Sequence, residues 1–318
     1  TMKFLWTNWF VKARNLQIYF FKKLGLILFK RYIKKNGLPD LIQCQSTFNA
    51  GFLGEYIYDI YKIDYIINEV NSGFLYKDQG LQKYYKDVVR ITNKSKECYT
   101  VSNKYAEYLN EELPNKLKWK VHHNIVSNKF LKAELVPRKN KKFVFLSIAR
   151  LHKVKNLGLI IKSFKIFNNK VENSELRFIG VGSEYDCLKK LSINLNIENQ
   201  VKFLGRIDRK NLINEINDSN ALVHSCPYET FGVVFVEALA LGRPIVAVYS
   251  PGSFDIVTKE VGILSENNET SMSNSMIEIF NRHDKFNPFN IRKYCRNNFS
   301  EDFLSKKMLY NYTSILSN

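Results

Sequence analysis

The sequence predicts an α/β protein built from two doubly wound halves. Three observations lead there. Short apolar segments alternate with helix-length segments along nearly the whole chain, the pattern of parallel strands covered on both faces. A polar, basic stretch broken by Pro137 divides that alternation in two. The 318 residues also exceed the usual size of a single hydrophobic core.

Leu16, Tyr19, Phe20, Leu24, Ile27 and Leu28 recur at helical spacing among Lys22, Lys23, Lys30, Arg31, Lys34 and Lys35, so residues 16–35 read as a basic amphipathic helix. Asn36-Gly37-Leu38-Pro39 ends it, and Asp40 to Cys44 is short and apolar enough for a buried strand. The spacing then predicts helices near 50–61, 81–92 and 103–112, with strands at 64–68 and 97–101. After the basic stretch, Phe143 to Ile148 is a continuous apolar strand, followed by a helix from about Leu157 and strands at 176–179, 201–204, 221–224 and 244–248. Helices near 277–282, 289–297 and 301–312 close the chain. The expected domains are 1–136, a linker at 137–142, a second domain at 143–297, and a C-terminal helix at 298–318 that packs back on the first.

The formal charge of +18 suits a nucleic-acid binder, an anionic membrane surface or a handler of phosphorylated substrates. No nucleic-acid recognition motif is present. The five cysteines are odd in number and scattered, without a Cys-x-x-Cys pair or a His at zinc-finger spacing, so a reducing cytosol and buried thiols fit best. Lys22 and Lys23 interrupt the most apolar stretch, leaving no run long enough to span a bilayer. The opening at Thr1 reads as a cut rather than a natural beginning.

In doubly wound sheets, ligands bind beyond the carboxyl ends of the strands, so chemistry is sought in the loops there. The strand at 221–224 runs into Tyr228-Glu229-Thr230-Phe231-Gly232, followed by an apolar helix from Val233. Free amides and the positive dipole end at that helix start suit a diphosphate or sugar hydroxyls. Glu237 stands among Val233, Val234, Phe235, Val236, Ala238, Leu239 and Ala240, where a carboxylate needs a partner, and a ribose diol would supply one. The loop after Ile148 carries Arg150 and Lys155, a planar fork and a point charge suited to a diphosphate. Gly180-Val181-Gly182-Ser183 and Gly205-Arg206 are glycine turns that a tight strand-to-helix connection requires with or without a ligand.

The ordered set Arg150-Leu151-x-x-x-Lys155-Asn156, Gly180-x-Gly182-Ser183, Val201-x-Phe203-Leu204-Gly205, and Glu229-Thr230-Phe231-Gly232 leading to Glu237-Ala238-Leu239-Ala240-Leu241-Gly242-Arg243-Pro244 resembles the retaining GT-B glycosyltransferases of glycosyltransferase family 4 (group 1). The likeness is dense from Phe143 to Leu264 and weaker from Pro39 to Phe130. It implies two Rossmann-like domains facing a cleft. Arg150, Lys155 and Glu229 match the catalytic positions, the two cations on the donor diphosphate and the carboxylate on the sugar hydroxyls. Gly180, Gly182, Gly205, Arg206, Thr230, Phe231, Gly232, Val233 and Glu237 match donor-binding positions, with Glu237 on the ribose. The resemblance implies no cofactor and no metal, the nucleotide-sugar being a substrate.

Two departures stand in the first domain. A family histidine in the segment resembling 63–74 falls on Val70, so Glu69, Asn71 and Ser72 become the candidates for its contact in the cleft. The family's glycine-rich loop has no counterpart before Pro39, so an N-terminally truncated chain with an incomplete first domain is expected.

The expected function is transfer of a sugar from a UDP- or GDP-sugar to a glycan or lipid-linked acceptor in surface polysaccharide or lipopolysaccharide synthesis. The expected place is the cytoplasm, with the basic helix touching anionic lipid on the inner face of the cell membrane. No nucleic-acid partner is expected, since Glu229 and Glu237 would repel a phosphate backbone. A non-catalytic sugar-nucleotide-binding subunit and a sugar-nucleotide epimerase are the alternatives.

Overall fold

The structure, a computed structural model, describes residues 14–136 and 142–317. It contains two compact units. The first comprises the chain up to Val101, Ala106–His122 and the end from Tyr310, and the second comprises Ser102–Tyr105 and His123–Leu309.

The chain opens with α1 (Arg14–Asn36), β1 (Ile42–Gln45), α2 (Phe52–Tyr61), β2 (Tyr65–Glu69), α3 (Gln79–Gln82), α4 (Tyr85–Lys94), β3 (Glu97–Thr100), α5 (Asn103–Glu112) and β4 (Trp119–Val121). β1 to β4 lie side by side in sequence order, every neighbouring pair parallel. β2 is buried along its whole length, as expected of a parallel strand covered on both faces. The end of the last helix joins this core, where Ile315 and Tyr312 pack with Ile66, Tyr99 and Leu41. Glu55 on α2, almost wholly buried, is paired with Arg90 on α4.

The second unit continues with α6 (Asn128–Lys132), β5 (Phe143–Ile148), α7 (Leu157–Asn168), β6 (Ser174–Ile179), α8 (Tyr185–Asn194), β7 (Val201–Phe203), α9 (Arg209–Asn217), β8 (Ala221–His224) and α10 (Val233–Ala240). The chain closes with β9 (Ile245–Val248), α11 (Pro251–Ile256), β10 (Gly262–Ser265), α12 (Glu269–Asn281), α13 (Pro288–Phe299) and α14 (Glu301–Ser317), whose residues up to Leu309 belong to the second unit. The six parallel strands of that unit run in the order β10-β9-β8-β5-β6-β7. The order reverses between β5 and β8, the topological switch point of a doubly wound sheet. Phe143, Phe145, Phe167 and Phe280 pack edge to face around one another, joining the sheet to α7 and α12.

Most expected elements are present, α5, β5 and β8 with the limits read from sequence. The segment 81–92 is two helices, and α12 starts at Glu269, where Asn268 caps it by accepting from Ser271 N–H. β4, α6, α11 and β10 were not foreseen. β4 and β10 are short edge strands without a long apolar run, and α11 hides in Ser250-Pro251-Gly252-Ser253, which reads as a turn. The Ser250/Ser253 capping box and the Pro at its start were the available signals.

The linker expected at 137–142 lies, apart from Lys142, outside the described residues. Residues 123–136, assigned from sequence to the first domain, belong to the second unit. Backbone bonding holds them there. Val126 donates to the Phe299 carbonyl at 2.9 Å, and the Ala133 and Val136 carbonyls accept from Arg292 and Arg243.

Candidate functional site

Because β8 lies directly beside β5, the loops leaving their carboxyl ends, Ala149–Asn156 and Ser225–Gly232, meet at the switch point. Ser225 Oγ sits 2.8 Å from the Lys155 carbonyl and 2.9 Å from that of Asn156, and Cys226 Sγ sits 3.4 Å from the Val154 carbonyl. These contacts seat one loop on the other.

Lys155 Nζ then reaches Glu229 Oε2 at 2.8 Å, a pair only about one-fifth exposed on each side. Burial by itself would raise the Glu229 carboxyl, but the His224 imidazole and the Lys155 ammonium outweigh it and hold the group down at about 2. Burial likewise opposes the charge on Lys155, and Glu229 more than restores it, so the ammonium is raised above its ordinary value. Both members are therefore ionised at neutral pH.

His224 ends β8 and is buried, with its ring edge-on to Phe235. Its Nε2 is 3.3 Å from Glu229 Oε2, yet neither ring nitrogen has a hydrogen bond of acceptable geometry among the described residues. His224, Cys226 and Glu229 each bring one ligand atom within 4.8 Å of the others. Sequence reasoning missed His224, Cys226 and Ser225 as members of the site. The signal was their position at the carboxyl end of a predicted strand.

Gly232, at φ +85°, takes the left-handed turn that starts α10, and a Cβ there would collide with the Phe235 ring. Thr230 and Phe231 are buried, Thr230 with its carbonyl accepting from Ser102 Oγ at 2.6 Å and Phe231 against the rings of His123 and Phe299. Val233 is exposed. Gly252, another residue not foreseen, donates to the Glu229 carbonyl at 2.8 Å and passes so close to Phe231 that a Cβ would strike its carbonyl oxygen.

Glu237 is 9% exposed and has no hydrogen-bonding or ion-pairing partner among the described residues. Burial raises its carboxyl to about 7, with Arg209 opposing from a distance. The partner that its apolar surroundings call for is not supplied by the described residues.

The remaining second-unit candidates separate. Arg150 and Arg206 are exposed. Gly180 and Gly182 let their turn lie directly on the 149–151 backbone, since a Cβ at either would collide with the Ala149 or Leu151 carbonyl oxygen. That close approach alone requires glycine at both positions. Gly205, at φ +67°, borders open space, and its carbonyl accepts from Gly180 N–H at 2.9 Å.

In the first unit, Glu69, a candidate for the cleft contact, is already engaged by the backbone. It is wholly buried, and its carboxylate accepts from the backbone N–H groups of Thr47, Val70 and Asn71 at 2.7–2.9 Å and from Ser46 Oγ. Asn71 caps the next turn by accepting from Gly73 N–H at 2.8 Å, and it and Ser72 are half-buried. Val70 is exposed.

Residues 129–298 match the family model described as Glycosyl transferases group 1. The chain is 30% identical over 157 residues to alpha-1,3/1,6-mannosyltransferase ALG2 of Mus musculus, covering 45% of this chain and 38% of that protein. It is 23% identical over 224 residues to the O-antigen chain mannosyltransferase RfbU of Salmonella typhimurium, covering 68% of this chain and 61% of that one. The crystal structure of Anabaena HepE in complex with UDP and glucose superposes with a TM-score of 0.77 at 18% identity, covering 92% of this chain and 81% of HepE. That likeness carries the GT-B fold, two Rossmann-like halves with parallel sheets. The chain spans only 30%, 51% and 44% of the lengths of three further curated relatives it matches.

Proposed function

This chain belongs to the Glycosyl transferases group 1 family, and from that premise we propose that it moves a sugar from a UDP- or GDP-sugar to a glycan or lipid-linked acceptor in surface polysaccharide or lipopolysaccharide synthesis. The observation that carries the reading is the ionised Lys155–Glu229 pair at the switch point together with the buried Glu237 on the helix that follows, which has no partner among the described residues. Cation, sugar-hydroxyl acceptor and ribose acceptor are then in one unit.

In this reading Lys155 and the exposed Arg150 neutralise the diphosphate as the bond between the anomeric carbon and the phosphate oxygen breaks. Glu229 accepts from donor sugar hydroxyls, the backbone of Thr230, Phe231, Gly232 and Val233 cradles sugar and phosphate, and Glu237 accepts from the ribose diol. Gly180, Gly182, Gly205 and Arg206 border the nucleotide. Transfer retains anomeric configuration and uses no metal, because the two cations supply the charge that a metal would. The names of the mannosyltransferase relatives and the UDP of HepE support the donor class.

A thermal-shift screen against UDP- and GDP-sugars tests the donor site, because a ligand that binds only the folded state raises its apparent stability. No shift with any nucleotide at millimolar concentration would remove the assignment. Anomeric configuration of the product, read by NMR, tests retention, and turnover in excess chelator tests metal independence.

Val70, exposed where the family histidine falls, favours one second reading, a non-catalytic sugar-nucleotide-binding subunit. It predicts nucleotide binding without slow donor hydrolysis. An epimerase would instead change the donor sugar with no acceptor present.

A cytoplasmic place at the inner membrane face belongs to the same proposal. On α1, Leu16, Tyr19, Phe20, Leu24, Ile27, Leu28 and Tyr32 are all at least 40% exposed among the helix's lysines. No helix among the described residues is long and apolar enough to cross a membrane. Co-sedimentation with anionic vesicles at low salt is the expected result, and its absence would sink the membrane contact.

A further inference from the structure

We propose that His224, Cys226 and Glu229 form a site for a zinc-class divalent cation, and that this cation competes with the Lys155 ammonium for Glu229. The site itself stands on geometry alone. Its effect on turnover rests on the donor-site reading above.

Three kinds of donor converge from one strand end and its turn, in the compact order His224-x-Cys226-x-x-Glu229, with their ligand atoms within 4.8 Å of one another. Imidazole, thiolate and carboxylate together suit zinc, whereas magnesium or calcium would take oxygen alone. The 3.3 Å between His224 Nε2 and Glu229 Oε2 fits a shared metal. With both metal–ligand bonds near 2.0 Å, the edge of a tetrahedron is about 3.3 Å.

The second, independent observation is His224. It is 2% exposed, its Nε2 lies 3.3 Å from the Glu229 carboxylate, and among the described residues neither ring nitrogen has a hydrogen bond of acceptable geometry. An imidazole so buried costs stability unless something takes its lone pair or proton, and a metal at Nε2 would do so. Cys226 Sγ closes on the metal by giving up its contact with the Val154 carbonyl, and its proton passes to solvent as the S–metal bond forms. Three protein ligands leave a fourth position for water or a phosphate oxygen.

In the metal-free chain the Lys155 ammonium already compensates Glu229 from 2.8 Å. A divalent ion must push that ammonium aside, and in doing so it removes one of the two cations assigned to the diphosphate. Metal occupancy is therefore expected to suppress donor turnover rather than to support it.

The full chain, stripped with a chelator, is titrated with cobalt(II) and zinc(II) at neutral pH. One equivalent is expected to bind with a thiolate-to-cobalt charge-transfer band that zinc abolishes. Cys226→Ser and His224→Gln should each weaken zinc by about tenfold or more, and Lys155→Ala should tighten it by about tenfold by removing the competing charge. Cys187→Ser, at the exposed cysteine of α8, should change nothing. Far-ultraviolet circular dichroism checks that each variant is folded.

Absence of the cobalt band in the parent, its loss in Cys187→Ser, or parent-like zinc affinity in folded Cys226→Ser and Lys155→Ala would each overturn the site. Zinc binding with the expected variant pattern but no effect of UDP or GDP on it would uphold the site and overturn the donor reading instead.

Discussion

Glu69 in the first unit and Glu237 in the second are both acidic side chains buried in Rossmann-like halves, and the protein treats them in opposite ways. Glu69 receives three backbone N–H groups and a hydroxyl, drawing residues 46–47 and 70–71 onto the end of β2. Glu237 receives nothing among the described residues, and burial pushes its carboxyl up to about 7. A saturated carboxylate is architecture. A buried one left open costs the ligand-free fold stability, and it fits a ligand that brings its own donors.

The most severe test of the contrast removes Glu69. Glu69→Ala removes the acceptor of three N–H groups, the one from Thr47 buried and those from Val70 and Asn71 half-buried, and a loss of about 2 kcal/mol or more is expected in urea unfolding. A loss below about 1 kcal/mol would show that the loops hold without it.

Lys155→Ala comes next and acts on function. Turnover is expected to fall roughly 100- to 1,000-fold, as when one preorganised stabiliser of developing charge is lost. Nucleotide binding by isothermal calorimetry should weaken as well. Parent-like affinity and rate would detach the Lys155–Glu229 pair from the donor.

Glu237→Gln carries the comparison's sign. It should weaken nucleotide binding about tenfold, yet leave the ligand-free protein more stable near pH 8, by on the order of 1–2 kcal/mol. A carboxyl whose folded value is raised stabilises fully below its unfolded value, and that contribution is lost as pH rises through about 7. The ionised form is the better acceptor for a ribose diol, so parent affinity should rise from about pH 6 to about pH 8. The variant should lose that slope, and a slope that persists would move the titration to another group.

Asn71→Ala gives the smallest effect, about 1 kcal/mol from the lost cap on Gly73. If it instead rivalled Glu69→Ala, the cap rather than the carboxylate would be organising the loop after β2.

Much of this organisation was legible because its causes are local. β5 and β8 are predominantly apolar, Ser147 and His224 apart, and the sequence alone delimits them. Glu237 was recognisable as misplaced among valines and alanines. Gly180 and Gly182 were rightly ambiguous, since the close approach to the 149–151 backbone accounts for them without a ligand. The saturation of Glu69 was not legible, because adjacency to Val70 says nothing about which amides converge on it. The edge strands β4 and β10 escaped because a three- or four-residue strand leaves no readable period.

By itself the sequence determined where most of the longer strands and helices lie, where several turns call for glycine, and that an acid sits in an apolar helix. Those follow from the periodicity, capping and steric properties of residues close together in the chain. Only the tertiary structure decided that β8 lies beside β5, which brings Lys155 to Glu229 across 74 positions of sequence. It alone also decided that Glu69 is saturated while Glu237 is left open among the described residues. Hydrogen-bond saturation depends on which distant backbone groups arrive at a carboxylate, and that depends on strand order rather than on any residue's neighbours in the chain.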